Sequence, residues 1–156
     1  MKIEEKSMKK LLFIFALCAV LYAPAAAGGP FGLGVIFGAP SGLSGKYWFN
    51  NRVSFDGIIG FHHYWKSSMS LNADWTYHWG ELTPLREGRL MLGLGGGPFT
   101  AWGNNFGLGV RVKGVIDFMF PDVPLNLFFE VAPEILLVDP GLTASAGLGI
   151  RWFFLK

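Results

Sequence analysis

The chain has 156 residues, of which 51% are hydrophobic, 16% aromatic and only 15% charged. Soluble domains carry roughly a quarter charged residues, so the chain is charge-poor for that class. The net charge of +2 arises within residues 1–27, because the rest has nine basic and nine acidic residues. This balance gives no electrostatic reason to expect a nucleic-acid partner. Beyond residue 27 no apolar run reaches the roughly 18 residues of a spanning helix.

Residues 1–27 have the three-part layout of a secretory signal peptide. Lysines stand at the start, an apolar core runs from Leu11 to Tyr22, and small residues lead to Ala27. We expect cleavage after Ala27, which leaves residues 28–156 as one domain; the alternative is an uncleaved membrane helix. The single cysteine, Cys18, lies in this segment. The exported chain would therefore have no thiol, which suits passage through an oxidising compartment.

From Phe31 onward the chain divides into short alternating segments separated by Gly, Pro, Asn and Asp, the pattern of successive strands. In the first segment large apolar residues alternate with glycines, and Ile36 is the exception on the glycine side. Turns are predicted at residues 39–41 and 50–52. The first three predicted strands cover residues 31–38, 43–49 and 53–62.

The stretch from Ser68 to Trp79 alternates without a break between two kinds of residue. A period of two predicts a strand, because a helix would mix the two sets on every side. Soluble strands average about 5 to 6 residues, whereas a tilted strand needs about 9 to 11 to cross a bilayer. One face carries Ser68, Ser70, Asn72, Asp74, Thr76 and His78; the other carries Met69, Leu71, Ala73, Trp75, Tyr77 and Trp79.

The second half of the chain continues the same behaviour. A polar turn is predicted at residues 80–88 and a loop at residues 98–105, with shorter turns at residues 121–124 and 139–141. Four further strands are predicted, at residues 89–95, 106–120, 125–135 and 142–154. The total is eight, an even number that lets an antiparallel meander close into an up-and-down barrel with both chain ends on one side.

The two faces of these strands predict which side of the barrel is outside. One face is apolar and bulky on all eight strands, and the interior of an eight-stranded barrel is just wide enough for its own side chains, so this many Phe, Leu, Trp and Tyr residues cannot all point inward. The bulky face must therefore point outward, and the charged face inward. Unpaired buried charges are costly, so we expect an ion-pair network of five cations and five anions. Its predicted members are Lys46, Asp56, Asp74, Arg89, Arg111, Lys113, Asp117, Glu130, Glu134 and Arg151.

Turn lengths also predict which charged residues are neighbours. They place Asp56 opposite Asp74, an unfavourable pair unless Lys46 bridges the two carboxylates. The other predicted neighbours are Lys46 with Asp56, Arg111 with Glu134, and Glu130 with both Lys113 and Arg151.

Aromatic residues concentrate near both ends of the predicted strands, as expected of the two girdles of a transmembrane barrel. The alternative is that aromatic residues merely favour strands. A soluble lipocalin-like barrel would instead bury the apolar face around a ligand. If the N-terminal end is periplasmic, the girdle there contains Phe49, Phe55, Tyr77, Trp79, Phe118, Phe120, Trp152 and Phe154. The opposite girdle contains Phe37, Phe61, Tyr64, Trp65, Phe99, Trp102 and Phe106. The predicted interfacial anchors are Trp65, Trp79, Trp102 and Trp152.

The final strand resembles the C-terminal β-signal of outer-membrane barrels in Ser145, Gly147, Ile150, Trp152 and Phe154. With the eight-stranded pattern over residues 31–156, the chain is similar to the small OmpA transmembrane domain and OmpX family. Residues 38–48, GAPSGLSGKYW, also resemble a turn-and-strand motif of bacterial outer-membrane barrels. The resemblance implies a monomer in the outer membrane of a Gram-negative bacterium, surrounded by its lipids and inserted by the barrel assembly machinery.

Three functional hypotheses follow for such a barrel. The first is a non-enzymatic structural or surface-interaction protein with a filled lumen. The second is an enzyme that modifies lipid A, for which His62, His63 and His78 are the candidate bases. Catalysis would need His and Ser within hydrogen-bond reach of each other, and the closeness of His63 to Ser67 and Ser68 in the sequence does not demand that arrangement. The third is a narrow pore for small solutes, which the charges across the lumen disfavour.

The sequence predicts no cofactor, no metal site and no catalytic residue. It contains neither a redox pair nor a cluster of metal-ligating residues. The glycine-rich runs at residues 32–38 and 93–97 lie in predicted strands without a following helix, so they lack the context of a nucleotide-binding loop. Space for neighbouring lumen side chains explains these glycines better.

Overall fold

The computed structural model describes residues 30–62, 68–85, 88–103, 106–138 and 140–154. The predicted signal peptide at residues 1–27, the predicted girdle residues Tyr64 and Trp65 and the candidate base His63 lie outside these residues. No described segment is a helix long and apolar enough to cross a membrane.

The described residues form eight antiparallel strands. Each strand pairs with the next along the chain, and β8 pairs back with β1 to close the barrel. The predicted all-β, eight-stranded up-and-down architecture is therefore confirmed. The strands are β1 (Phe31–Ala39), β2 (Ser41–Trp48), β3 (Val53–His62), β4 (Ser68–Leu85), β5 (Gly88–Trp102), β6 (Phe106–Met119), β7 (Leu125–Leu136) and β8 (Gly141–Phe154).

The barrel has two ends that differ in which chain segments they carry. Phe31 of β1 pairs with Phe154 of β8, so both chain ends lie at what we call the N-terminal end. The β2–β3, β4–β5 and β6–β7 connections lie at this end as well. The other four connections form the distal end.

Side chains alternate between the outer wall and the lumen because successive residues of a strand point to opposite faces. Trp75 and Val112 are both 55% exposed, whereas Arg111 and Glu134 are each 2% exposed. Large apolar residues thus cover the outside of the barrel and charged residues fill the inside, as the alternation predicts.

The β4–β5 hairpin is longer than the sequence predicts. Residues 80–88 were expected to be a polar turn, but β4 continues to Leu85 and β5 begins at Gly88. Register shifts follow Trp79 and Glu81, and such bulges let pairing continue where the side-chain alternation fails. Pairing of β4 with β3 has already ended at Tyr77, so β4 is an edge strand beyond this residue, whereas β5 still pairs with β6 from Arg89 onward.

The predicted loop at residues 98–105 is also largely strand. β5 continues through Pro98 to Trp102 and pairs with both β4 and β6 over this stretch. The inward alternation therefore reaches Phe99, which is 4% exposed. Phe99 was expected in the distal aromatic girdle, and that prediction is wrong. Its ring occupies space left by Gly109, where a Cβ atom would collide with it.

Candidate functional site in the barrel lumen

Nine of the ten predicted lumen charges are buried, each 2% exposed or less. The tenth, Arg89, is exposed. It lies on the inward-facing register of β5, opposite Met119, at the N-terminal mouth of the barrel. The structure therefore brings nine of the predicted residues together and places Arg89 at the rim.

The cluster nearer the N-terminal end is centred on Asp56 and Asp117. Lys46 donates a hydrogen bond from Nζ to Asp117 Oδ2 at 2.7 Å and lies 3.5 Å from Asp56 Oδ1. The Arg151 guanidinium lies 3.8 Å from Asp56 and 3.7 Å from Asp117. Two carboxylates from β3 and β6 are thereby joined across the lumen by cations from β2 and β8.

Asp56 and Asp74 are direct neighbours, as the turn lengths predict. The cation between them is Lys113, whose Nζ lies 2.9 Å from Asp56 Oδ2 and 3.4 Å from Asp74 Oδ2. The bridge that makes the pair favourable is thus supplied by Lys113 and not by Lys46, the cation considered from the sequence. Lys46 instead reaches Asp117 on the far wall, whereas Lys113 crosses the lumen from β6. The hydroxyl of Thr76 completes the site by donating to Asp56 Oδ2 at 2.7 Å.

Toward the distal end, Arg111 contacts three carboxylates. Its Nη2 donates to Glu130 Oε1 at 2.8 Å, and its Nε lies 3.3 Å from Asp74 Oδ1. Its Nη1 lies 3.6 Å from Glu134 Oε1, on the residue that the predicted register places opposite it. Glu130 was expected beside Arg151, but Arg151 turns toward the N-terminal cluster and contacts Asp56 and Asp117.

His78 belongs to the N-terminal cluster. From the sequence it was expected only to lie on the polar, lumen-facing side of its strand. Its Nε2 lies 2.9 Å from Asp117 Oδ2 and 3.2 Å from Lys46 Nζ. The Trp48 ring packs on it with centroids 4.5 Å apart, and Lys46 Nζ lies 4.7 Å from the centroid of the same ring. The sequence does contain a signal for this role: His78 and Asp74 lie on the same face of β4, so both side chains point into the lumen.

A cavity of about 340 Å³ opens at the N-terminal end of the lumen, directly beyond Trp48. We call it the end cavity. The distal part of the lumen is instead filled by buried apolar side chains, including Ile36, Phe99 and Leu136. The residues that line the end cavity are Pro30, Trp48, Asn50, Asn51, Arg89, Met91 and Met119.

Aromatic rings form contacts on the outer wall near the N-terminal end. Phe49, in the β2–β3 turn, stacks on Trp75 with centroids 4.8 Å apart. Tyr77 and Trp79 pack edge to face at 6.0 Å, and Arg52 donates to the Tyr77 hydroxyl at 3.4 Å. The predicted anchors Trp79 and Trp102 are 52% and 39% exposed and lie on the outer wall toward opposite ends.

The residues that resemble a β-signal all lie in β8, the strand that closes the barrel. Ser145 and Gly147 face the lumen, and Ile150 lies on the outer wall. Trp152 and Phe154 are half-buried at the N-terminal end, where β8 pairs with β1.

Within the described residues there is no group of three or more His, Cys, Asp or Glu side chains arranged to hold a metal ion. Comparison of the chain with protein-family models, curated proteins and solved structures finds no match.

Proposed function

We propose that the protein is an integral β-barrel of the bacterial outer membrane, with a lumen closed by its own side chains and a non-enzymatic structural or surface-interaction role. The observation that supports this proposal is the distribution of side chains, which is the reverse of that in a soluble barrel: the outer wall is apolar and the interior is ionic. Soluble monomers rarely expose contiguous apolar patches above about 300–600 Å². A wall bearing large, exposed apolar side chains on every strand is suited to hydrocarbon instead.

The aromatic contacts at the N-terminal end support the same proposal. Tyr and Trp are favoured where hydrocarbon meets headgroups, because one part of each ring system is apolar and another forms hydrogen bonds. Tyr77 and Trp79 occupy such a position, and Arg52 lies beside the Tyr77 hydroxyl. The likeness of β8 to a β-signal and of residues 1–27 to a signal peptide adds a route to the outer membrane.

The ionic contacts across the lumen favour a closed barrel over a pore. Cations from β2, β6 and β8 reach carboxylates on other walls, so the contacts divide the lumen cross-section. An enzyme would need a base with a free path to substrate. Of the three candidate bases, His78 is the one whose side chain the structure describes. It is 1% exposed and lies between Asp117, Lys46 and the Trp48 ring.

Fractionation of membranes combined with a heat-modifiability gel tests the proposal. We expect the protein in the outer-membrane fraction, and we expect unboiled samples to migrate differently from boiled ones because the folded barrel resists the detergent. A Trp152→Ser variant, altered in the proposed β-signal, should reach the membrane less efficiently. Recovery of the wild-type chain as a soluble periplasmic protein would overturn the proposal. Single-channel steps in planar bilayers would overturn the closed lumen.

A further inference from the structure

We propose that the β1–β2 hairpin lowers one side of the apolar wall, so that the lipid bilayer becomes thinner beside it. This inference rests on the proposed membrane location and names the lipid surroundings that the wall fits. β1 and β2 have 9 and 8 residues, whereas β6 and β8 have 14 each. At a rise of about 3.3 Å per residue and a tilt of about 40°, β1 spans roughly 20 Å along the barrel axis and β6 roughly 33 Å.

The difference in height lies at the distal end of the barrel. At the N-terminal end β1 and β8 finish level, because their terminal residues Phe31 and Phe154 pair with each other. At the distal end the last residue of β1, Ala39, pairs with Ala146, and β8 continues beyond it through residues 141–145. The hairpin therefore forms a gap in the distal rim, which we call the hairpin notch.

The hairpin notch leaves one edge of β8 open. Residues 141–145 pair with β7 along one edge, but within the described part of the chain no strand pairs with them on the β1 side. An open sheet edge carries backbone N–H and C=O groups that hydrocarbon cannot satisfy. Water or lipid headgroups must therefore reach down to the level of Ala146, so the hydrocarbon layer ends there on this side of the barrel.

Below the notch the hairpin has the same apolar outer face as the other strands. Phe37 and Leu43 lie on either side of its turn and are 66% and 65% exposed. Hydrocarbon can thus contact the hairpin as far as the turn. A wall of roughly 20 Å is shorter than the apolar band of about 25 Å that is usual in such barrels, so the bilayer should thin by about 5 Å beside it.

Spin-label depth measurements in phosphatidylcholine vesicles test the proposal. The full chain with Cys18→Ser is refolded, and its insertion is verified by the heat-modifiability gel. One label replaces Phe37 on β1, which is as many residues from Phe31 as Val112, the second labelled position, is from Phe118 on β6. Collision rates with oxygen and with a water-soluble nickel complex give the depth of each label. A flat bilayer would give equal depths, whereas we expect the label at position 37 to lie about 5 Å nearer the distal surface.

Acyl-chain length provides a control for this measurement. In vesicles of dilauroyl lipid the hydrocarbon layer is closer to the height of β1, so the two labels should differ less in depth. In dioleoyl lipid the layer is thicker and must thin more beside the hairpin. The difference in depth should therefore increase from dilauroyl to dioleoyl lipid.

Arginine substitutions give a second readout that needs no label. Phe37→Arg, compared with Phe37→Ala, should raise the unfolding equilibrium constant in vesicles by less than about fivefold, because the cation lies close to water. Val112→Arg, compared with Val112→Ala, should raise it about thirtyfold or more.

Equal label depths, or equal arginine effects at positions 37 and 112, would overturn the proposal for a barrel that has inserted. Shielding of the label at position 37 from both oxygen and nickel would also overturn it, since a second copy of the chain would then cover the hairpin. A wild-type chain that fails to insert would overturn the proposed function as well, so the two failures are distinguishable.

Discussion

At the residue scale, the lumen is organised by side chains that reach across it. The turn lengths predict the neighbours Lys46 and Asp56, and also Asp56 and Asp74, because these residues lie on adjacent strands. They do not predict that Lys113 from β6 neutralises Asp56 and Asp74, since that contact depends on how the closed barrel brings distant strands face to face. Contacts of this kind cannot be read from strand order alone.

Removing Lys113 should destabilise the barrel strongly. A Lys113→Met variant leaves two adjacent buried carboxylates without their shared cation, and loss of one partner of a buried ion pair costs about 3–5 kcal/mol. Urea unfolding in phospholipid vesicles, followed by tryptophan fluorescence, measures the loss. Adding Asp74→Asn should restore part of the stability, because it removes one of the two adjacent negative charges. An Arg52→Met control should stay within about 0.5 kcal/mol of the wild type. If Lys113→Met did the same, Lys113 would not be the bridging cation.

At the element scale, eight strands could be predicted because each keeps a period of two between turn residues. The ends of β4 and β5 could not. The polar residues after Trp79 and the proline at position 84 are typical of a turn, yet two bulges let the strands remain paired as far as Leu85. A proline is tolerated there because pairing with β3 has already ended, so β4 is an edge strand over this stretch.

Packing between β7 and β8 should depend on Gly149. A Cβ atom at this position would collide with the Phe128 ring and with the backbone oxygen of Val35. Gly149→Ala should therefore cost about 1–3 kcal/mol, the usual penalty of overpacking. The strain should also disturb Arg151, whose guanidinium lies 3.4 Å above the Phe128 ring.

The matched control for Gly149 is Gly57→Ala. A Cβ atom at Gly57 meets only the Asn72 backbone oxygen, at an ordinary 3.9 Å. This change should leave the unfolding free energy unaltered or raise it slightly, since alanine reduces the conformational freedom of the unfolded chain. Combining Gly149→Ala with Phe128→Leu should recover only the part of the loss that the ring causes, because the contact with the Val35 backbone oxygen remains. Equal effects at Gly149 and Gly57 would show that the ring has room to move.

At the scale of the whole molecule, the sequence was enough to predict both the barrel and its inverted faces. The reason is geometric: eight strands enclose too little space for the bulky face, so only one arrangement of the two faces can be packed. The wall that results is continuous around the barrel. The loss of folding free energy caused by a charge on this wall depends on whether lipid or water surrounds it.

Arginine substitutions on the outer wall should reveal those surroundings. Val112 lies midway along β6, and Val112→Arg should cost about 2–4 kcal/mol in vesicles, the penalty of a cation at the bilayer midplane. Val123 lies in the β6–β7 turn and is 42% exposed, so Val123→Arg should cost about 0–1 kcal/mol. Small, equal costs at both positions would indicate a wall that faces water.

The position of Arg151 on β8 has a consequence for how the barrel is assembled. Its guanidinium lies between carboxylates of β3 and β6, yet β8 is the last of the eight barrel strands in chain order and the one that meets β1. Until that strand is in place, Asp56 and Asp117 lack one of their cations and the sheet retains two open edges. Closing the sheet therefore also supplies the last cation of this cluster, and a partly made barrel has an electrostatic reason to accept its final strand.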